Sequence, residues 1–302
     1  MIKKLNRLIK SRKANIAVIG LGYVGLPLSL AFLNSKFKVF GIDSNPKRVQ
    51  MLKKGLSYIS TIKSKEIKKF VNKKFIPTNR FRNILNSDII IICVPTPINK
   101  KKKPIMKYVT NVIRRVEKYL KTNQVIILEC TTYPGTTEEY FLPIFKKLKF
   151  EVGKNIFLGY SPEREDPGNH EYSITKKNLT KIVSGYTKTC KELTSKVYGT
   201  ITNVYGVKNI KTAEFTKLLE NTFRSVNIGL VNELFTFCDK FNINIFDAVK
   251  AANTKPFGYM PFVPGPGVGG HCIPVDPYYL TYKANQVGIK TEFIKLAGKI
   301  ND

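Results

Sequence analysis

A loop rich in glycine and proline, in the last fifth of the chain, carries a cysteine and an aspartate that could do chemistry together. It runs from Pro264 to Pro277 as PGPGVGGHCIPVDP, and its thiol and carboxylate belong to Cys272 and Asp276. Proline fixes φ and glycine permits positive φ, so this composition predicts a rigid loop rather than a helix or strand. A thiol held on such a loop near a carboxylate is suited to covalent catalysis. A structural turn around an inert cysteine is the alternative, and the loop alone does not decide between them.

A second polar group lies on a segment with helical periodicity. Lys217 and Asn221 are four residues apart and therefore share one helix face. Taken alone, such a pair favours an interpretation as two solvated side chains. The apolar residues around the pair recur at spacings of three and four, which predicts one long amphipathic helix over 211–241.

The elements that must position these groups begin with a glycine-rich turn after the first apolar run. The run ends in GLGYVG, in which Gly20, Gly22 and Gly25 satisfy the pattern G-x-G-x-x-G. A helical pattern, a second strand and then Asp43 follow, which is the context that a dinucleotide site requires. The glycines allow the backbone to approach a pyrophosphate at a helix N-terminus. Asp43 is suited to the adenosine ribose hydroxyls and disfavours a 2′-phosphate, so we expect NAD rather than NADP.

Further strand-length apolar runs alternate with helical patterns up to about residue 205. This alternation predicts an α/β fold with a doubly wound sheet, because continuous apolar strands are typical of parallel sheets covered on both faces. The apolar runs lie at 88–94, 124–130, 156–160, 181–184 and 202–205. We therefore predict a basic leader helix at 1–13, a nucleotide-binding domain at 14–205 and a helical domain at 206–302.

Composition restricts the class of protein further. The 51 basic and 21 acidic residues give a net charge of +30, but the lysines are spread along the whole chain, so nucleic-acid binding is not expected. The five cysteines are odd in number and none forms a C-x-x-C pair, which argues against disulfides and a metal site and favours the cytoplasm. Cys93 and Cys130 end apolar runs and are expected in the core. Residues 1–13 lack the continuous apolar segment of a signal peptide, and no stable membrane anchor is expected.

Several motifs, taken together, resemble the UDP-glucose/GDP-mannose dehydrogenase family. These are GLGYVGLPL, CVPTP, TTYPGTT, YSPERED, AEFTKLLENT and PGPGVGGHCIPVDP, in the family's order. The resemblance covers nearly all of 14–302. Within the family, the sequence is most similar to UDP-N-acetylglucosamine 6-dehydrogenases of polysaccharide synthesis. It implies a Rossmann-type NAD domain followed by an all-helical central domain. It also implies oxidation of a sugar C6 hydroxyl to a carboxylate with two NAD and one water.

The resemblance further implies roles for individual residues. Cys272 would be the nucleophile that forms a thiohemiacetal and then a thioester, and the long helix 211–241 would mediate a homodimer. The implied catalytic residues are Cys272, Lys217, Asn221, Asp276, Thr131 and Glu163. The implied cofactor residues are Gly20, Gly22, Tyr23, Val24, Gly25, Asp43, Arg48, Thr96 and Thr131. The implied substrate residues are Glu163, Lys217, Asn221, Phe262, Gly265 and Gly269.

Two departures from the family pattern affect the expected activity. Relatives that act on UDP-glucose often carry lysine immediately before the loop aspartate, whereas this sequence has Val275. Family members also continue into a third, nucleotide-sugar-binding domain, which is expected to be absent here, so negligible dehydrogenase activity is expected of the 302-residue chain alone. His271 invites a Cys-His interpretation, but adjacent side chains on an extended loop point apart, and His170 has no identifiable partner.

Three alternatives therefore stay open beside the UDP-N-acetylglucosamine enzyme. The first is a 6-dehydrogenase for UDP-glucose or UDP-N-acetylmannosamine. The second is a two-electron β-hydroxyacid dehydrogenase, which would have no use for Cys272. The third is a chain that binds NAD without turnover.

Overall fold

A single eight-stranded sheet organises the first part of the chain in a computed structural model, which describes residues 2–165, 178–270 and 272–302. The strands are β1 (Asn15–Ile19), β2 (Lys38–Ile42), β3 (Phe75–Thr78), β4 (Ile89–Ile92), β5 (Gln124–Leu128), β6 (Ile156–Tyr160), β7 (Lys181–Gly185) and β8 (Val204–Gly206). Their order across the sheet is β3-β2-β1-β4-β5-β6-β7-β8. All neighbouring strands are parallel except β6 and β7, which are antiparallel.

The central strands are apolar throughout because both faces of the sheet are covered. Ile16 pairs in register with Ile89, and both side chains join the hydrophobic core on one face. The next pair, Ala17 and Ile90, joins the core on the opposite face, as the two-residue period of a strand requires.

Helices form the two covering layers and continue beyond the sheet. They are α1 (Ile2–Lys10), α2 (Gly25–Asn34), α3 (Pro46–Lys53), α4 (Ser64–Lys68), α5 (Lys107–Glu117), α6 (Thr136–Lys147), α7 (Lys188–Tyr198), α8 (Ile210–Lys240), α9 (Ile245–Ala252), α10 (Asp276–Gln286) and α11 (Glu292–Asn301). Side chains of α1, α2 and α7 share one core, and those of α5 and α6 share the other. A short 3₁₀ helix at Phe81–Asn86 also packs into the second core.

The predicted fold class, a doubly wound α/β sheet followed by a helical region with one long helix, is confirmed. The long helix α8 begins and ends one residue before the predicted 211–241. The sequence patterns did not predict α3, α4, β3 or the 3₁₀ helix. Of the described residues, no helix is both long enough and apolar enough to cross a membrane.

The chain forms two compact units. The first comprises Met1–Thr96 and Met106–Glu214, and the second comprises Pro97–Ile105 and Phe215–Asp302. The short segment Pro97–Ile105, which follows β4, is thus grouped with the second unit, and the domain limits 1–13, 14–205 and 206–302 stay a prediction. His170 and His271 lie outside the described residues.

Candidate functional site

The glycine-rich turn after β1 has one open glycine between two tightly packed ones. Gly20 has φ +91°, and a Cβ there would stand 2.4 Å from the carbonyl oxygen of Cys93. A Cβ on Gly25, at the start of α2, would stand 1.9 Å from the carbonyl oxygen of Gly20. A Cβ on Gly22 would meet no atom within 4 Å. The turn therefore packs tightly against protein atoms at Gly20 and Gly25, and it has open space at Gly22. This open space fits the close approach of a dinucleotide pyrophosphate.

Asp43, directly after β2, holds the first part of this turn. It is 6% exposed, and its Oδ2 accepts a hydrogen bond from the Leu21 N–H at 2.9 Å. Its Oδ1 accepts from the Asn45 N–H at 2.8 Å, and the Arg48 guanidinium lies 3.6 Å away. A carboxylate offers about four acceptor positions, so the Asp43 carboxylate can still accept hydrogen bonds from ribose hydroxyls. Tyr23, which follows Gly22 in the same turn, has an exposed side chain.

The remaining sequence-predicted residues of the first unit follow β4, β5 and β6. Thr96, Thr131 and Glu163 are each partly buried, in the segments that leave the carboxyl ends of these parallel strands. Because β1 is parallel to them, that edge of the sheet also carries the glycine-rich turn, and ligands of open α/β sheets bind at this edge. Cys93 and Cys130 are buried as expected, and burial raises the pKa of the Cys130 thiol to about 12.

A buried ionic cluster near this edge was not identified from the sequence. Lys181 is 1% exposed, and its ammonium donates to Glu129 and, at 2.9 Å, to Glu163. Glu129 also accepts from the hydroxyl of Tyr198. Burial works to lower the pKa of Lys181, but the two carboxylates outweigh it, and the pKa lies above its ordinary value. The available signal was a charged residue directly after or within an apolar strand, because a buried charge requires a partner.

Glu163 is firmly fixed by this cluster and by the backbone that follows it. Its Oε2 accepts from Lys181, while its Oε1 accepts from the N–H groups of Arg164 and Glu165 at 2.6 and 2.7 Å. Among the described residues, these three donors set the orientation of the Glu163 carboxyl group.

A second buried carboxylate, Glu214, lies in the second turn of α8 and was also missed. It accepts from the N–H groups of Gly135 and Thr137, at 2.6 and 2.9 Å, and from the Thr137 hydroxyl at 2.7 Å. These are donors at the N-terminus of α6 that its own helix cannot satisfy. Burial raises the pKa of Glu214 to about 7, although the hydrogen bonds from Thr137 and Gly135 oppose the shift.

In the second unit, three sequence-predicted residues form one polar cluster. Lys217 is 5% exposed, and its Nζ lies 3.9 Å from Oδ2 of Asp276. Asn221, one turn later on α8, donates from its Nδ2 to the same oxygen. The interpretation of Lys217 and Asn221 as a solvated pair is therefore wrong for Lys217, because the lysine is buried against a carboxylate.

Asp276 begins α10 and is 2% exposed. Burial raises its pKa to about 6, and Lys217 and Asn221 work in the opposite direction. Cys272 is partly buried, and its carbonyl accepts from the N–H groups of Val275 and Asp276 at 3.0 and 2.8 Å. These bonds form the turn that leads from the thiol into α10. A carboxyl group that titrates near neutral pH can accept or donate a proton there.

The loop before Cys272 is irregular because several glycines have left-handed backbone angles. Gly267, Gly269 and Gly270 have φ of +103°, +61° and +69°. The Gly265 N–H donates to Oδ1 of Asn232 on α8 at 3.0 Å. In a separate contact, Phe262 packs edge-to-face against Phe223, also on α8, with ring centroids 6.0 Å apart. The loop is thus attached to the long helix at two points.

Comparison with known proteins gives matches along nearly the whole chain. Residues 14–202 match the NAD binding domain of the UDP-glucose/GDP-mannose dehydrogenase family, and residues 211–302 match its central domain. Protein CapL of Staphylococcus aureus is 42% identical over 95% of this chain and 67% of its own length. UDP-N-acetyl-D-glucosamine 6-dehydrogenase of Salmonella typhi is 39% identical over 96% of this chain and 67% of its own length.

A solved structure agrees with these matches. The UDP-D-ManNAc dehydrogenase of Pyrococcus horikoshii superposes with a TM-score of 0.88 at 32% identity, covering 95% of this chain and 68% of that protein. The chain thus spans about two thirds of the length of the relatives it matches.

Proposed function

The chain belongs to the UDP-glucose/GDP-mannose dehydrogenase family, and on that premise we propose that it oxidises the C6 hydroxyl of UDP-N-acetylglucosamine to a carboxylate. It is an NAD-dependent nucleotide-sugar dehydrogenase. The finer proposal is a four-electron oxidation through a covalent intermediate on Cys272, for surface polysaccharide synthesis. The first unit supplies the cofactor residues, and the second supplies the nucleophile.

The observation that carries the proposal is the cluster of Lys217, Asn221 and Asp276, with Cys272 four residues before the aspartate. An ammonium and an amide N–H donor can stabilise the alkoxide that develops when the C6 hydroxyl loses its proton. A buried lysine that interacts with a carboxylate on another helix has a smaller range of side-chain positions than a solvated lysine. The cluster therefore supports a catalytic site rather than a structural turn.

The proposed chemistry on Cys272 has three stages. After the first oxidation the C6 aldehyde carbon accepts the Cys272 sulfur, and a base passes the thiol proton to the former aldehyde oxygen, which gives a thiohemiacetal. Loss of a second hydride and the hydroxyl proton gives a thioester, and water then cleaves the carbon–sulfur bond to release the carboxylate and restore the thiol. NAD supplies the hydride acceptor for both oxidations. We assign activation of the water to Asp276 and Thr131, and a substrate contact to Glu163.

Asp43 and Arg48 are proposed to bind the adenosine ribose, and Thr96 and Thr131 the remainder of NAD. The Asp43 carboxylate would repel a 2′-phosphate, whereas Arg48 would partly neutralise one. Because Asp43 is engaged by two N–H groups and is nearly buried, its charge is fixed in place. NAD should therefore bind more tightly than NADP by calorimetry, and equal or tighter NADP binding would contradict the assignment.

The choice of sugar rests on similarity and on Val275. UDP-N-acetyl-D-glucosamine 6-dehydrogenases are 38% and 39% identical to this chain, and a UDP-N-acetyl-D-mannosamine dehydrogenase is 34% identical. Val275 stands where UDP-glucose enzymes often carry lysine. We propose Phe262, Gly265 and Gly269 as lining for the sugar. Relative kcat/KM values for UDP-N-acetylglucosamine, UDP-N-acetylmannosamine and UDP-glucose would decide among the three.

A stoichiometric assay tests the four-electron reaction. Two NADH should form for each UDP-N-acetylglucosamine consumed, whereas one NADH would indicate a two-electron dehydrogenase. In Asp276→Asn, hydrolysis should slow and a thioester should accumulate, visible as an intact-mass increase of the uronyl nucleotide. The double variant Asp276→Asn/Cys272→Ser is the matched control and should carry no adduct. An equal adduct on the double variant would rule out Cys272 as its site.

We also propose a homodimer formed through α8. Within the described part of the chain, α8 exposes large apolar side chains, among them Leu219, Phe223, Leu230, Leu234 and Phe237 on one face and Phe235 on another. The same helix, α9 and the following loop line an apolar groove of about 840 Å³. Apolar surface of this extent is normally covered by a partner. Scattering or sedimentation at micromolar concentration tests this, and a monomer would refute it.

We place the enzyme in the cytoplasm, because the mechanism requires Cys272 as a reduced thiol. No disulfide occurs among the described cysteines, which is consistent with a reducing compartment. Fractionation of cells that express the native gene would test the location.

A further inference from the structure

In the glycine-rich turn, the backbone N–H and carbonyl of Leu21 take part in a closed ring of four contacts. The Leu21 N–H donates to Asp43 at 2.9 Å, and the Leu21 carbonyl accepts from the Tyr58 hydroxyl at 2.5 Å. Arg48 lies 3.6 Å from Asp43, and its guanidinium lies 5.4 Å from the centre of the Tyr58 ring. The backbone N–H and carbonyl of Leu21 are thus held by two side chains, which Arg48 links to each other.

Each member of this ring is held by its own element. Asp43 follows β2, while Arg48 lies in the first turn of α3, where Asn45 caps the helix by accepting from the N–H groups of Lys47 and Arg48. Tyr58 lies in the segment between α3 and α4 and is partly buried. The ring therefore connects the turn after β1 to the segment between the end of β2 and the start of α4.

Tyr58 keeps its hydroxyl proton at all working pH values. Burial raises the pKa of Tyr58 above its ordinary value, the negative charge of Asp43 adds to the shift, and Arg48 opposes it. The hydroxyl can therefore donate constantly to the Leu21 carbonyl, and this donor is lost only if the side chain is changed.

We propose that Tyr58 is a positioning residue of the cofactor site. Its side chain holds the Leu21 backbone and the Arg48 guanidinium in the arrangement that binds the adenosine diphosphate portion of NAD. The hydroxyl fixes the turn next to Gly22, where the pyrophosphate approaches. The aromatic ring supports one face of the guanidinium, which leaves the charged edge of Arg48 directed at Asp43. Tyr58 contributes through these two partners and has no role in hydride transfer.

Two substitutions separate the contributions of the hydroxyl and the ring. Tyr58→Phe removes only the hydrogen bond to Leu21, and loss of one buried hydrogen bond should weaken NAD binding about threefold to tenfold. Tyr58→Leu also removes the surface beneath Arg48 and should weaken binding further. Calorimetry with NAD and with ADP-ribose measures both effects, which should be equal for the two ligands because both contain the adenosine diphosphate portion.

Tyr186→Phe is the matched control. Tyr186 is exposed in the same unit and follows β7, which runs antiparallel to β6, so it lies at the sheet edge opposite the glycine-rich turn. It should bind NAD as the unchanged chain does. Hydrogen–deuterium exchange of the 15–25 peptide without ligand should be faster in Tyr58→Phe and unchanged in Tyr186→Phe.

The outcomes against the proposal are equally specific. Unchanged NAD affinity in Tyr58→Phe, or unchanged exchange of the 15–25 peptide, would overturn it. Failure of Tyr58→Phe to fold, seen by thermal melting, would show that the hydroxyl maintains the fold rather than the cofactor site, and would also overturn it. None of these measurements depends on turnover or on the identity of the sugar.

Discussion

The buried carboxyl group of Asp276 makes the pH dependence of stability a direct test of the proposed catalytic cluster. Its pKa rises from 3.8 to about 6 on folding, mainly through burial, while Lys217 and Asn221 oppose the shift. A carboxyl group with a raised folded pKa binds its proton more tightly in the folded state. Its favourable contribution is therefore present below pH 4 and is lost as the pH rises through about 6.

The magnitude follows from the size of the rise. Each pKa unit corresponds to about 1.4 kcal/mol, so ionising Asp276 in the folded chain costs about 3 kcal/mol relative to the unfolded chain. Asp276→Asn has no ionisable group but retains an oxygen that can accept from Asn221. The stability of Asp276→Asn minus that of the unchanged chain should thus increase by about 2.5 kcal/mol between pH 4 and pH 7.5, because the unfolded carboxyl is already partly ionised at pH 4.

Urea unfolding of both chains at half-unit pH steps measures this difference, and any constant effect of the substitution cancels. The ¹³C chemical shift of the Asp276 carboxyl, assigned by its absence in the variant, gives the midpoint independently. A difference that stays flat with pH would show that the carboxyl is not perturbed. A difference that falls with pH would show that attraction to Lys217 exceeds the cost of burial, which would refute the reasoning.

The remaining predictions concern the glycine-rich turn and the two buried carboxylates that the sequence did not reveal. Gly22→Ala should fold normally but lose most NAD affinity by calorimetry, whereas Gly25→Ala should lower the melting temperature, because only the second Cβ meets protein atoms. Lys181→Met should reduce the unfolding free energy in urea by about 3–5 kcal/mol, and addition of Glu129→Gln should restore much of it, because the buried anion is then neutral. Glu214→Ala should lower the unfolding free energy by about 2 kcal/mol or more, because it leaves buried N–H groups of α6 without acceptors.

Local sequence patterns predicted much of the architecture. The strand–glycine–helix–strand–acid order predicted around Gly20, Gly22, Gly25 and Asp43 is present in the structure, because that motif depends on neighbours within about one βαβ unit. The period of α8 is equally local, and its predicted limits differ from the structure by one residue at each end. The elements that were missed, between β2 and β4, are short and lack a sustained apolar period.

What the sequence could not determine is the partner of each polar side chain. Lys217 belongs to a polar pair on a helix face and would be solvated on an isolated helix, yet it is buried because Asp276, 59 positions later, lies against it. Lys181 and Glu129 are 52 residues apart, and Glu214 caps a helix 77 residues earlier.

Tyr58 likewise acts on a carbonyl 37 residues before it. Periodicity indicates which face of an element is apolar, but it carries no information about which distant group desolvates a charge or satisfies its hydrogen bonds. The sequence by itself therefore determined the doubly wound fold class, the dinucleotide turn and the long helix, whereas β3 and the order of the strands are seen only in the structure. Only the tertiary structure decided which charges are buried and which side chains hold the site in place.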